Sequence, residues 1–389
     1  MLAIKLAIRN LIGAGLRTWL NISVLSVAYL IIIFHNGIID GWNLQARNDT
    51  QAWEIGQGQL WHENFDPLDV FTYQDAHSPI SKKMSKLIKQ QKVTPILLTQ
   101  ASAYPQGRMQ SILLKGIIPN QKIVKLPSAA LSSENEIIKA IIGKQMAKNL
   151  KLKKGENLLI RWRDKNGTFD AIEIEISEIF DCDVPGVDNG KIWISLANLQ
   201  KMINLENQAS YFIVNEKYKG GDFEKWKFKT TDFLLADLNQ IIEAKRGSGV
   251  VFYGLLLLIA LLAIFDTQVL SIFRRQKEIG TYIALGMTRW QVVKIFTVEG
   301  SMYSILAAIL AAICGSPLFW SLSKSGLAMP AGTNNMNIAI SERIFPSFSI
   351  ELIVSTLVFV VLAATIVSFL PASKIAKLKP TDALKGKIQ

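Results

Sequence analysis

The chain alternates between long unbroken apolar runs and one long mixed segment. Trp19 to Ile39 supplies 21 mostly apolar residues, enough for about 30 Å of helix at ~1.5 Å per residue, the thickness of a bilayer core. Val250–Phe273, Met302–Leu322 and Ile350–Leu370 are further runs of this kind. Gly315 and Pro317 fall inside the third run and predict a kink there, with neighbouring helices re-satisfying the freed carbonyls. Residues 40–247 hold no run able to span a membrane and read as mixed strand and helix. Short strands are predicted at Gly58–His62, Ser111–Ile118, Asn157–Arg163 and Ala171–Phe180, the last two joined by a Lys165-Asn166-Gly167 turn. Ile172, Ile174, Ile176 and Ile179 fall nearly on one alternating face. Ile137, Ile138, Ile141, Ile142, Met146 and Leu150 recur at helical spacing and predict a helix over residues 134–150. At about 200 residues the segment is long enough to bury a core of its own.

Residues 274–300 interrupt the apolar pattern with a basic stretch. Arg274, Arg275, Lys277, Arg289 and Lys294 stand against Glu278 and Glu299. Ala284-Leu285-Gly286 breaks the segment, because glycine accepts the positive φ that ends a helix. Thr288 is placed to cap a new helix, and Gln291 to complete a capping box. Trp290, Val293, Phe296 and Thr297 then share one face. The prediction is a helix leaving the membrane, a sharp corner, and a short amphipathic helix leading back in. Lysine and arginine enrichment beside spans marks the cytoplasmic side. It recurs after the fourth run at Lys374, Lys377, Lys379, Lys385 and Lys387.

Charge also orients the start of the chain. Leu2, Leu6, Ile8, Leu11 and Ile12 alternate with Lys5 and Arg9, a pattern suited to the membrane interface. The first apolar run is too long for a cleavable signal peptide, and Phe34-His35-Asn36 offers no small-residue cleavage site. The expected class is an α-helical membrane protein with four transmembrane helices, 1 + 3, and a large α/β extracytoplasmic domain between the first and second. Its expected parts are an interfacial helix at 1–17, spans at 18–39, 248–273, 298–322 and 349–371, and an extracytoplasmic domain at 40–247. A cytoplasmic coupling region at 274–297, an extracytoplasmic loop at 323–348 and a cytoplasmic basic tail at 372–389 complete it, with both termini cytoplasmic.

Composition agrees with that class. Half the residues are apolar and 19% are charged, against about 25% in an ordinary soluble chain. The net charge of +12 flanks apolar runs, so topology and anionic lipid explain it better than nucleic acid does. Cys182 and Cys314 form no disulfide framework. Gly143-Lys144 lacks the upstream glycine of a phosphate loop and is followed by Gln145, so ATP hydrolysis is not expected in this chain. No catalytic residue and no metal site is expected: His35, His62 and His77 match no metal spacing, and His62-Glu63 with Asp75 and His77 read as scattered surface polars. Asp266 lies inside the second span, where an acid costs a few kcal/mol, ~3 on insertion scales. It reads as an interhelical hydrogen-bonding group or the cap of a bend. Phe65, Leu68, Phe71 and Tyr73 read equally as core or as a lipid-facing patch. Gly37 and Gly41 form a GxxxG pattern that lets helices approach closely.

Several strings carry a resemblance. KEIG at Lys277–Gly280, ALG at Ala284–Gly286 and the EG of Glu299-Gly300 resemble the coupling region of the FtsX-like permeases of ABC transporters. RNL at Arg9–Leu11, LRTWL at Leu16–Leu20 and PASKIAKLKPTDALKG at Pro371–Gly386 resemble that family's two ends, with Asp382 where glutamate is common. IIGKQMAKNLKLKKGENLLI at Ile141–Ile160 resembles its extracytoplasmic helix-strand unit, with Gly155-Glu156 where Gly-Asp is usual. WHENFDPLD at Trp61–Asp69 is similar to the region after the first strand in lipoprotein-releasing, LolC/LolE-type members.

The resemblance implies mechanical transmission rather than chemistry in this chain. It implies ABC ATPase subunits that bind ATP and magnesium themselves, so that this chain needs no cofactor. A second permease subunit, the same chain or a paralogue, would pair through spans one and two in the bacterial inner membrane. Glu278, Gly280, Leu285, Gly286, Met287, Arg289, Trp290 and Val293 would form the ATPase-coupling element. Ile31, Phe34, Ile38, Leu255, Leu258 and Leu262 would line a cargo cavity for a lipoprotein or other amphiphile, handed on to a periplasmic carrier or adaptor. Membrane lipid is a partner and nucleic acid is not. Two alternatives stay open: MacB-like efflux of peptides or drugs, and FtsX-like activation of a cell-wall hydrolase without cargo.

Overall fold

The computed structural model describes residues 15–132, 137–328 and 343–377. In chain order the described α-helices of seven residues or more are α1 (Leu16–Thr50), α2 (Lys82–Lys89), α3 (Lys144–Leu150), α4 (Leu196–Met202), α5 (Ala236–Arg274), α6 (Gln276–Ala284), α7 (Arg289–Ser325) and α8 (Ile350–Ser373). The strands of the main sheet are β1 (Gly58–His62), β2 (Val93–Ala103), β3 (Gln110–Ile117), β4 (Ile138–Gly143), β5 (Asn157–Arg163), β6 (Phe169–Phe180), β7 (Lys191–Ser195), β8 (Tyr211–Val214) and β9 (Trp226–Thr230). The chain divides into two units. One comprises Met1–Trp42, Ile241–Leu327 and Ile344–Gln389; the other comprises Asn43–Gln240 and Ala328–Arg343.

The second unit is built on a sheet of order β9-β1-β8-β2-β3-β7-β4-β6-β5, and β5 pairs back onto β2. Six strands, β2, β3, β7, β4, β6 and β5, therefore close into a ring, while β8, β1 and β9 extend one edge. Closure removes the unpaired strand edges that template aggregation. Strand alternation sorts the side chains. Leu97, Ala101, Ile112, Leu114, Ala140, Ile142, Leu158, Ile160, Ile174, Ile176, Ile192 and Ile194 pack on one face with α3 and α4. Ile96, Leu98, Ile141, Trp193, Tyr211 and Ile213 pack on the other.

The strand expectations at Gly58–His62 and Asn157–Arg163 match, while β3 begins one residue early and β6 starts at Phe169. The Lys165-Asn166-Gly167 turn is present, with Gly167 at φ +86° and the Asp164 carboxylate accepting from the Asn166 and Thr168 amides. Ile179 shares a face with Ile172, Ile174 and Ile176 because a bulge resets the alternation. Ile176 pairs with Ala140, whereas the next partner of Ile141 is Glu178.

The helix predicted over 134–150 is wrong in its first half. Ile138–Gly143 is a strand buried on both faces between β7 and β6, and only Lys144–Leu150 is helical. A continuous apolar run in a central strand has no two-residue period, so it mimics helical spacing. The start of that predicted helix, 134–136, lies outside the described residues.

The first unit holds α6 and the apolar portions of α1, α5, α7 and α8, which among the described residues are the four helices long and apolar enough to cross a membrane. Their shared core contains Ile22, Leu25, Tyr29 and Ile32 of α1, Leu257, Ala260, Leu261 and Ile264 of α5, Tyr303, Ala307 and Ala311 of α7, and Val360 and Ala364 of α8. Lipid is as apolar as these side chains, so polar contacts and close approach must specify the packing. Asn21 donates to Thr267 Oγ1 at 2.7 Å, and the Tyr29 hydroxyl meets Ser304 at 2.8 Å. Gly249 admits the His35 ring, and Gly300 admits Ser368 and Gln268 where α5, α7 and α8 meet.

Three readings change here. The helix after the corner is not a separate short amphipathic piece: α7 runs from Arg289 through Pro317 to Ser325. The Gly37/Gly41 notch holds a segment of the same chain. A Cβ on Gly37 would lie 2.4 Å from the Phe348 ring, one on Gly41 would lie 2.2 Å from the Phe345 carbonyl oxygen, and the Ser347 amide donates to Gly37 at 2.9 Å. Asp266 is exposed, and the interhelical hydrogen bond falls on its neighbour Thr267. The expectations for residues 1–14, for the outer loop over 329–342 and for the tail over 378–389 lie outside the described residues.

Candidate functional site

The basic stretch folds into a corner whose every bend has a local cause. α5 ends at Arg274, and Arg275 leaves helical geometry at φ −103°, ψ 22° before α6 begins. α6 closes in a Schellman motif. The Gly286 amide donates to Ile283 at 3.1 Å and the Met287 amide to Tyr282 at 3.0 Å, with Gly286 at φ +96°. Thr288 then opens α7 with a complete capping box: its Oγ1 accepts from the Gln291 amide, and Gln291 Oε1 accepts from the Thr288 amide at 2.8 Å. The turn is thus satisfied from both sides, which makes it stiff.

Beneath the turn lies a small separate core of Ile272, Ile279, Val292, Val293, Phe296, Ala372 and Ile375. It ties together the ends of α5, α6, α7 and α8. Of the predicted coupling residues, Gly280 and Val293 are buried in this base, and Met287 packs partly against it. Glu278, Leu285, Gly286, Arg289 and Trp290 are exposed, Leu285 at 78% and Trp290 at 65%. Trp290 therefore does not share the buried face of Val293 and Phe296. Its ring lies against Phe369, with centroids 6.4 Å apart and planes 11° from parallel.

Arg275 and Glu299 are central to the corner, although in the sequence they read only as charges setting topology. Arg275 Nε donates to Glu278 at 2.8 Å, Nη1 donates to Glu299 at 3.0 Å, and the guanidinium lies 4.9 Å from the Phe296 ring centroid. The available signal was an acid inside an apolar helical stretch, twenty-four residues from a cation.

The predicted cargo residues fall on two helices, α1 and α5. α1 and α5 lie side by side, tied by Asn21 to Thr267 at one end and by His35 against Gly249 and Tyr253 at the other. Ile31 and Phe34 thereby fall at the level of Leu255 and Leu258. Leu255, Leu258 and Leu262 are each more than half exposed, and Ile31, Phe34 and Ile38 are half-buried. They form two adjoining apolar stripes.

The scattered polar residues of the second unit separate as well. His62 is buried against Ser78 at 2.9 Å, and His77 pairs with Gln208. Among the described residues no group of three His, Cys, Asp or Glu side chains stands ready for a metal. Phe65 and Tyr73 stack at 5.8 Å as core, while Leu68 and Phe71 are exposed at 85% and 86%. Cys182 is buried, and burial pushes its thiol up to about 12; Cys314 is exposed, and both are free thiols.

Comparison with known proteins finds a family match and relatives at low identity. Residues 250–380 match the family of the FtsX-like permease C-terminal domain. Over 319 residues the chain is 22% identical to the lipoprotein-releasing system transmembrane protein LolC of Xylella fastidiosa, covering 74% of this chain and 76% of that one. It is 27% identical over 216 residues to an uncharacterized ABC transporter permease of Methanocaldococcus jannaschii, covering 51% of each. Residues 250–380 thus carry an FtsX-like permease C-terminal domain, and the chain is similar to LolC over most of its length and to an ABC transporter permease over half of it.

Proposed function

We propose that this chain is the non-catalytic permease subunit of a bacterial inner-membrane transporter that extracts lipoproteins and releases them to a soluble carrier. The observation that carries the reading is the doubly capped corner at Leu285–Thr288, which presents exposed Leu285, Arg289 and Trp290 on a tied base. A stiff knob of this form fits a groove on a partner ATPase. Ile272, Val292 and Ala372 in its base connect it directly to three long helices, so displacement of the knob moves them together. ATP and magnesium belong to the ATPase, and this chain contributes motion rather than chemistry.

Two permease copies, or one copy and a paralogue, bring their α1 and α5 stripes together. Ile31, Phe34, Ile38, Leu255, Leu258 and Leu262 then face each other across an apolar slot suited to acyl chains. Similarity to LolC over most of both chains favours lipoprotein cargo over drug efflux or hydrolase activation. Proteoliposomes containing the permease, its ATPase and a triacylated lipoprotein test this. ATP-dependent appearance of lipoprotein on a soluble carrier is expected. ATP turnover without release, even with several lipoproteins and carriers, would reject the cargo assignment.

A further inference from the structure

The second unit encloses a cavity of about 520 Å³ that the coupling account does not use. In β3, Leu113, Lys115 and Ile117 alternate with Ile112 and Leu114, so they face away from the ring interior. β7 runs parallel beside it, with Lys191 opposite Leu113 and Trp193 opposite Lys115. Both ammonium groups therefore emerge on one face, where they meet Glu54. Lys191 pairs with Glu54 Oε1, and Lys115 stands 3.7 Å from the same oxygen. Their side chains are 17% and 5% exposed, and that of Glu54 is 22% exposed.

Two cations on one carboxylate leave a buried positive charge in excess. Burying a charge without a counter-charge is costly, and a purely structural ion pair needs one lysine rather than two. Lys115 carries the excess. Lys191 holds Glu54 directly, whereas Lys115 Nζ reaches the same oxygen only at 3.7 Å, donates to the Tyr211 hydroxyl at 3.1 Å and lies 5.1 Å from the Trp193 ring centroid. Burial pushes both ammonium groups below the usual lysine range, which Glu54 only partly offsets. Lys115 and Lys191 line the cavity, whose other walls include Trp61, Phe65, Leu98 and Phe233. A cavity of this size with an apolar wall and a few convergent polar groups has the form of a small-molecule site.

We propose that this cavity binds a small organic monoanion, an apolar or aromatic body ending in a carboxylate, with the carboxylate paired to Lys115. The body lies against Trp61 and Phe65. Asp66 and Asp237, exposed lining residues, disfavour a second negative charge on the ligand. The head completes the charge balance that Glu54 leaves open.

Isothermal titration of hydrocinnamate into the full chain in lipid nanodiscs tests the site, with empty nanodiscs as the blank and hydrocinnamide as the neutral isostere. Saturable binding of the acid is expected, at least about tenfold tighter than the amide. Lys115→Met keeps the side-chain stem and the neutral Glu54–Lys191 pair. It is expected to lose about tenfold for the acid and nothing for the amide. Glu54→Gln should tighten acid binding in the same chain; if that variant does not fold, Lys115→Met alone decides. No heat above the blank, equal binding of acid and amide, or unchanged acid binding in Lys115→Met would overturn the proposal.

Discussion

Arg275 and Glu299 form a buried ion pair that joins the break between α5 and α6 to the lower part of α7. Nη1 of the arginine donates to both carboxylate oxygens, at 3.0 and 3.3 Å, and the two side chains are 17% and 5% exposed. Arg275→Ala takes the guanidinium from the buried Glu299 carboxylate, whereas Glu299→Ala leaves Arg275 with Glu278. Arg275→Ala is therefore expected to cost about 3–5 kcal/mol and Glu299→Ala less. Thermal unfolding of the purified chain in detergent measures it, and a cost within surface-mutant range would show that the pair is not buried as described. Arg275→Lys should recover only part of the loss, because an ammonium cannot serve Glu278 and both Glu299 oxygens in one plane.

Gly286 and Thr288 contribute to the corner by different means. Nothing lies within 4 Å of a Cβ at Gly286, so its cost on substitution is conformational alone, arising from φ +96°. Gly286→Ala is expected to destabilise by about 1–2 kcal/mol, and Thr288→Ala by about 1 kcal/mol through loss of the cap. Hydrogen exchange should localise both effects to residues 282–292. Protection unchanged there would contradict the capped corner.

Gly37 and Gly41 separate two kinds of crowding. The obstacle at Gly37 is the Phe348 ring, which can rotate; at Gly41 it is the backbone of Phe345 and Pro346, which cannot. Gly41→Ala is therefore expected to cost more than Gly37→Ala, within the about 1–3 kcal/mol of overpacking. Equal melting temperatures for the two variants would show that the 345–348 segment does not occupy the notch.

Much of this was legible in the sequence because each feature had a local cause. Four apolar runs, the Gly286 break and the Thr288–Gln291 box are read from neighbours along the chain. Ile138–Gly143 was not legible, since a strand buried on both faces carries no alternation. The Gly37/Gly41 notch looked like a helix-pairing motif because a glycine records that something approaches closely, not what approaches. Arg275 with Glu299, and Lys115 with Lys191 and Glu54, are pairings across long sequence separations. The fold creates them, and nothing local along the chain marks the partners.

Glu54 gives the second unit an acid limit. Burial alone would raise its carboxyl, but Lys191 and Lys115 override this and hold it down to about 2, against 4.5 when unfolded. Its ion pairs therefore contribute stability that is complete above pH 4.5 and is lost as pH falls toward 2. The slope across that window is the one that the Glu54 carboxyl contributes. The contribution is about 3 kcal/mol. Glu54→Gln is expected to flatten the stability profile between these values in denaturant melts. An unchanged acid slope would show that Glu54 titrates normally.

On the function proposed above, an ATPase grips this chain at the Leu285–Trp290 corner. Trp290 is 65% exposed against Phe369, placed as a large anchor on a stiff turn. Affinity of the cognate ATPase for the permease in nanodiscs, measured for the parent and for Trp290→Ala, tests this most directly. A loss of about 2 kcal/mol or more, roughly 30-fold in Kd, is expected, with permease folding and pairing unchanged. Parent-like affinity and parent-like ATPase stimulation in the Trp290→Ala complex would contradict it.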